Sequence, residues 1–157
     1  MLDARHTDAL PCEWDSLRMF GSGDIADEGL VRDWSQAEPS HLWNDGPEPS
    51  LRLLLNGKPR VATLQITGLP FIRPGQPLQE LTLYINGFRL AFWRLTAAGL
   101  NTLSAAIEPE QMLIRGQSLL LSCVFHLPHS IRPMDLGEGS DRRALGFCFE
   151  TLLISEG

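Results

Sequence analysis

The sequence predicts an all-β fold, a sandwich or barrel of about eight or nine strands joined by loops that suit antiparallel connections. Three observations carry that expectation. Short apolar runs alternate with turn signals from about Glu13 onward. Eleven prolines and fourteen glycines are spread through the chain. No window sustains a helical period of useful length. A length of 157 residues suits one domain, and 43% apolar residues suffice for one core without disulfides.

Residues 1–13 show no periodicity and read as a flexible arm, ahead of a sandwich over 14–157. SLRMF (16–20) is a first strand, ended by GSGD, and GLVRDW (29–34) a second. SLRLLL (50–55) lies between the turns DGPEP and NGKP. In RVATLQITGL (60–69), Ala62, Leu64 and Ile66 form an apolar inward face, and Val61, Thr63 and Gln65 alternate outward. FIRPGQPLQ (71–79) is a Pro/Gly loop. ELTLYINGFRLAFWRL (80–95) is a β-hairpin, because Asn86-Gly87 is the favoured pair for a type I′ turn.

NTLSAAI (101–107) is a further strand, and PEQM (109–112) one helical turn opened by Pro109. SLLLSCVFHL (118–127) points Leu119, Leu121, Cys123, Phe125 and Leu127 inward. A loop over 131–143, with a short turn at Pro133 to Leu136, precedes the closing strand RALGFCFETLLI (143–154). The expected core is Leu53, Leu55, Leu64, Ile66, Leu83, Ile85, Leu121, Cys123, Phe125, Phe147 and Phe149.

The net charge is −6, with no basic cluster. That argues against nucleic acid and anionic membranes as partners. The apolar runs are too short for a bilayer-spanning helix, so no direct membrane insertion is expected. Cys12, Cys123 and Cys148 are widely spaced and odd in number, which reads as buried free thiols. With no signal or transit peptide at the N-terminus, the expected location is cytoplasmic.

The segment DWSQAEPSHLWNDG (33–46) holds two of the four tryptophans in a stretch that reads as loop. Two readings are open. Trp34, Glu38, His41, Trp43 and Asp45 can form a sugar site, with indoles stacking on a pyranose face and polar groups accepting its hydroxyls. Alternatively both indoles plug the end of the core, with Glu38 holding an indole N–H or loop amides, and Asp45-Gly46 is turn chemistry. Asp141 with Arg142 and Arg143 either grips a glycan or clamps the last loop.

A calcium site needs Asp24, Asp27, Glu28, Glu138 and Asp141 to converge, and no ligand spacing supports it. No metal and no cofactor is expected. The histidines are His6, His41, His126 and His129. Ser40-His41 and His129-Ser130 are sequence neighbours, which in a strand point to opposite faces. No nucleophile elbow, zinc motif or phosphate loop is present, so the chain reads as a non-enzyme. On the hairpin, Phe88, Leu90 and Phe92 are expected inside. Trp93, with Tyr84 and Arg94, is then on an outer face suited to protein contact.

The stretch FGSGDIADEGLVRDWSQAEPSHLWNDGPEPSLRLLL resembles an ancillary β-sandwich domain of bacteria. Such domains are attached to, or encoded beside, glycosyltransferases and phosphoglycerol-transferase-like proteins of cell-surface polysaccharide synthesis. The matching elements are Gly21 and Gly23, Trp34-Ser35, Glu38, Trp43 and Asp45-Gly46. They continue through the Asn86-Gly87 hairpin to Pro133, Leu136, Gly137, Asp141, Arg142 or Arg143, Leu145 and Gly146. This sequence departs from the pattern at Asp33, Leu42 and Asn44.

The resemblance implies a jelly-roll or galactose-binding-like sandwich working near carbohydrate polymers. Its partners would be a glycan or polysaccharide, with a glycosyltransferase or other assembly protein. The competing class is a structural or adaptor subunit that uses the exposed hairpin face.

Overall fold

The structure, a computed structural model, describes residues 9–157. Twelve strands are present among them: β1 (Leu10–Cys12), β2 (Arg18–Met19), β3 (Leu30–Arg32), β4 (Leu42–Trp43), β5 (Ser50–Asn56), β6 (Ala62–Pro70), β7 (Gln79–Ile85), β8 (Phe88–Leu95), β9 (Asn101–Ile107), β10 (Leu113–Arg115), β11 (Ser118–His126) and β12 (Phe147–Glu156). The expected eight or nine becomes twelve because β1, β4 and β10 are two or three residues long. Strands that short carry no readable alternation.

Two sheets face each other. The larger runs β1-β5-β11-β7-β8, with β3 also on β5 and β10 also on β11. The smaller runs β2-β12-β6-β9, with β4 also on β12. Every pairing is antiparallel except β1 on β5. The expected arm over residues 1–13 is corrected in its last part. Leu10 pairs with Leu53 and Cys12 with Leu55, and both side chains are buried. Two inward apolar side chains are too few to show a period, yet they cover one edge of β5. The rest of that expectation, residues 1–8, lies outside the described residues.

Every residue of the expected core is buried. In β6 buried and half-buried residues alternate along the whole strand, with Ala62, Leu64 and Ile66 inward. Asn86 (φ 50°) and Gly87 (φ 86°) form the hairpin turn with the left-handed backbone that a type I′ turn needs. Asn86 is also a staple: its Nδ2 donates to Gln111 O and Leu120 O, and its Oδ1 accepts from Ser122 N. The short turns at Pro109–Gln111 and Pro133–Leu136 are 3-10 helices.

The inward face of β8 is not the expected one. The β7–β8 register shifts between Leu83 and Tyr84. Beyond that bulge Trp93 pairs with Leu81 and Ala91 with Leu83, both core residues. Trp93 therefore packs against the core, while Phe92, opposite Thr82, is 46% exposed. One extra residue in one strand exchanges the two faces. Phe88 is exposed to the same extent.

In β12 a second bulge falls between Phe149 and Thr151. On one edge of that strand, β4 pairs before the bulge and β2 after it. The Glu150 carbonyl between them accepts the Phe20 N–H. This arrangement brings loop 33–46 over one end of the sandwich.

Candidate functional site

Loop 33–46 folds back on itself. Ser35 N donates to Trp43 O, Asp45 N to Asp33 O, and Glu38 N to His41 O across the tip. Trp34 and Asn44 form an isolated antiparallel bridge. Asp33 takes a positive φ of 61°, and its carboxylate accepts the Glu48 N–H. Gly46 (φ 126°) lies so close to that carboxylate that a Cβ would meet its Cγ at 2.7 Å. Gly21 packs against the Pro39 backbone, and Ser22 N donates to Glu38 O. The Gly-Ser-Gly run after Phe20 thus supports the tip of the loop.

Trp34 closes the core. Its ring lies 5.1 Å from Phe149 and 5.9 Å from Phe20, and its indole N–H donates to Ser50 O at 2.7 Å. Phe125 and Phe147 complete this cluster around Phe149 at 5.0 and 4.8 Å. Trp34 is half-buried, with both its N–H and its ring engaged by the core, which suits a plug better than a stacking platform. Trp43 is half-buried in β4, edge-on to Phe71 at 6.1 Å. The packing favours the core reading for Trp34, whereas Trp43 lies outside the main core cluster.

Asn44 ties the loop to the last strand. It is fully buried. Its Oδ1 accepts Gly146 N at 2.8 Å and Phe147 N at 2.9 Å. Its Nδ2 donates to Gly46 O, Ser130 Oγ and Ala144 O. Asp45, exposed, accepts Ala144 N. No sequence signal singles out Asn44, because its role depends on residues about a hundred positions away.

The polar groups that remain outside this framework meet at an open cleft of about 430 Å³ lined by Ser35, Gln36, Ala37, Glu38 and Arg143. Arg143 donates from Nε and Nη2 to the Asp141 carboxylate, at 2.8 Å for the shortest contact, and from Nη1 to Ser35 Oγ at 2.9 Å. The guanidinium, with the Arg143 backbone N–H, holds the Asp141 carboxyl below its usual range. Of the two candidate arginines, Arg143 reaches loop 33–46; Arg142 is exposed to solvent. The clamp and the cleft share one residue, so the two readings of Asp141 and Arg143 do not compete.

Glu38 Oε2 lies 3.1 Å from His41 Nε2, and His41 Nδ1 lies 3.0 Å from Ser40 Oγ. Neighbouring residues were expected to point apart as in a strand, but 38–41 is a turn, and a turn lets them meet. The chain Ser40–His41–Glu38 has the order of a nucleophile, a base and an orienting acid. Ser40 is nevertheless exposed on the loop tip and does not line the cleft.

The acidic residues weighed for calcium are separated. Asp24 pairs with Arg18, Glu138 with Arg73 and Asp141 with Arg143. No cluster of three or more His, Cys, Asp or Glu capable of holding a metal occurs among the described residues. Cys12, Cys123 and Cys148 are free and buried. Burial pushes the Cys12 thiol up to about 11 and Cys148 to about 12, and raises Cys123 further. None is a nucleophile near neutral pH.

A larger opening, about 680 Å³, lies at the opposite end of the sandwich. It is lined mainly by apolar and main-chain surface of Asn56, Gly57, Lys58, Pro59, Ile114, Gly116 and Gln117. Among the described residues its lining includes no carboxylate, and its polar side chains are Asn56, Lys58 and Gln117. The smaller cleft is therefore the better candidate for a polar ligand.

Fold and site together define a class: a two-sheet jelly-roll β-sandwich with a polar cleft built from loops at one end. No family model matches the chain, and no curated protein matches it. Solved structures do. The CBM36-1 domain of a multidomain xylanase from the hindgut metagenome of Trinervitermes trinervoides aligns with TM-score 0.55 and 6% identity, over 90% of this chain and 97% of that one. A family 35 carbohydrate-binding module from an environmental isolate aligns at 0.52 and 10%, over 88% and 93%. CBM35 from Cellvibrio japonicus aligns at 0.50 and 12%, over 90% and 94%. At these identities the likeness is one of fold.

Proposed function

We propose that the chain is a non-catalytic glycan-binding module, acting with the machinery of bacterial surface-polysaccharide synthesis. The observation that carries this reading is the cleft between loop 33–46 and Arg143. An arginine fixed by Asp141 and Ser35 keeps its remaining N–H groups for sugar oxygens, and the Glu38 carboxylate beside it accepts sugar hydroxyls. His41 orients Glu38. The sandwich fold shared with carbohydrate-binding modules supports the reading, and the sequence resemblance supports the polysaccharide setting. Trp34 and Asn44 hold the frame, and Trp43 is half-buried against Phe71. An open cleft of this size buries little area, so affinity is weak and binding needs little backbone motion.

The test is a glycan array probed with the wild type and with Glu38→Ala, a substitution at a half-exposed side chain. A set of bacterial polysaccharide fragments retained by the wild type and lost by the variant supports the reading. An array blank for the wild type overturns it. The adaptor reading rests on Phe92, which exposes its ring beside Arg89, 5.8 Å away, with half-buried Tyr84 paired to Arg89. Trp93 leaves that surface, and Arg94 stays exposed at its end.

A further inference from the structure

Sheet edges present unpaired N–H and C=O groups, and proteins guard them with charge, proline, bulges or brevity. Most edges of this sandwich are guarded. β1 carries Pro11; β3 has a register shift and ends in Arg32; β8 carries exposed Arg89 and Arg94 and is itself bulged at Leu90. β10 is three residues long and ends in Arg115, and β2 and β4 have two residues each.

β9 differs. It is the terminal strand of the smaller sheet, seven residues long, hydrogen-bonded to β6 in one unbroken register. It contains no proline and no charge, and no charged residue lies between Arg94 and Glu108. The outward face behind it is neutral as well. Thr102, Ser104 and Ala106 lie beside Thr67, Gln65 and Thr63, and these beside Thr151, Leu153 and Ser155.

We propose that β9 is a docking edge for a second copy of this chain, the two copies pairing β9 to β9, antiparallel about Ser104, into one continuous sheet. The charge pattern suits this occupant. In homotypic antiparallel pairing each residue meets its mirror position: Ser104 meets Ser104, Thr102 meets Ala106, and Leu103 meets Ala105. A charged residue at the centre would oppose itself, which is the usual obstacle to self-pairing. Here every opposed pair is neutral, on a chain whose net charge of −6 repels copies elsewhere. The strand runs from Asn101, opposite Gly68 at the cleft end, to Ile107, opposite Ala62 at the far end. Antiparallel pairing therefore sets the two clefts at opposite ends of the dimer, suited to bridging two polymer chains. The pairing itself does not depend on the glycan reading.

Sedimentation velocity over a concentration series, from about 1 μM to about 500 μM, tests it. The wild type is expected to pass from monomer to dimer. Ser104→Lys, at an exposed position, places two ammonium groups face to face and is expected to weaken dimerisation at least about tenfold. Thr102→Lys with Ala106→Lys opposes lysines twice and is expected to abolish it. Thr102→Glu with Ala106→Lys opposes unlike charges and is expected to keep the dimer, which separates lost pairing from lost folding. A wild type that remains monomeric throughout overturns the proposal. So does a dimer that both lysine variants leave unchanged.

Discussion

Asn44→Ala removes one side chain and leaves two backbone amides, at the entry to β12, without an acceptor. Asn44 is fully buried, and its Oδ1 accepts both Gly146 N and Phe147 N. An orphaned buried donor costs about 1–3 kcal/mol. Two of them, less what water entering the small cavity returns, give a loss of about 3 kcal/mol. With a urea m-value of about 2 kcal/mol/M, the midpoint falls by roughly 1.5 M at unchanged m. Urea unfolding followed by tryptophan fluorescence, with far-UV circular dichroism as a second probe, measures it. Asn44→Asp keeps the acceptor but turns an oxygen toward Gly46 O and Ala144 O, so it is also expected to destabilise. A loss below about 1 kcal/mol in Asn44→Ala would refute the idea that this residue fastens the site loop to β12.

Trp93→Ala is expected to cost about 2 kcal/mol and Phe92→Ala within about 0.5 kcal/mol; thermal melts of the two variants check the assignment of the inward face of β8. Gly68→Ala drives a Cβ into Cys148 O and the Phe147 ring, so a loss of about 2 kcal/mol or more is expected in urea unfolding. The thiols give a pH dependence. Their folded pKa values lie above the ordinary value of 9.0, so the stability held with the neutral thiols is complete below pH 9. It declines as pH rises through 9 toward 11 and 12, because the unfolded chain ionises first. Urea midpoints between pH 8 and pH 10.5 should fall, and a triple Cys→Ala variant should fall less. A thiol-titrating disulfide reagent at pH 8 should react slowly with the native protein and fully in urea.

The long elements were legible because each repeats its pattern often enough to be read. β6 alternates over nine residues, β11 does so from Leu121 to His126, and Asn86-Gly87 marks its own turn. What the sequence hid is two-residue pairing and single-residue bulges. One bulge in the β7–β8 pairing decides whether Trp93 or Phe92 faces the core, and no local residue preference announces it. The site was half legible. The concentration of Trp, Glu, His and Asp in 33–46 pointed to the loop that lines the candidate cleft, but its indoles and carboxylates divide between frame and cleft. That division depends on Ser50, Phe149 and Arg143, which lie far along the chain.

If the cleft between loop 33–46 and Arg143 takes a glycan, the contact is local and its footprint on the backbone is small. Two-dimensional amide NMR with the fragment best retained on the array tests it most directly. Saturable shifts confined to residues 35–41 and 141–146, absent in Glu38→Ala, are expected. Shifts centred instead on the β7–β8 face or on the opening beside Ile114, or no shifts at millimolar fragment, would contradict it.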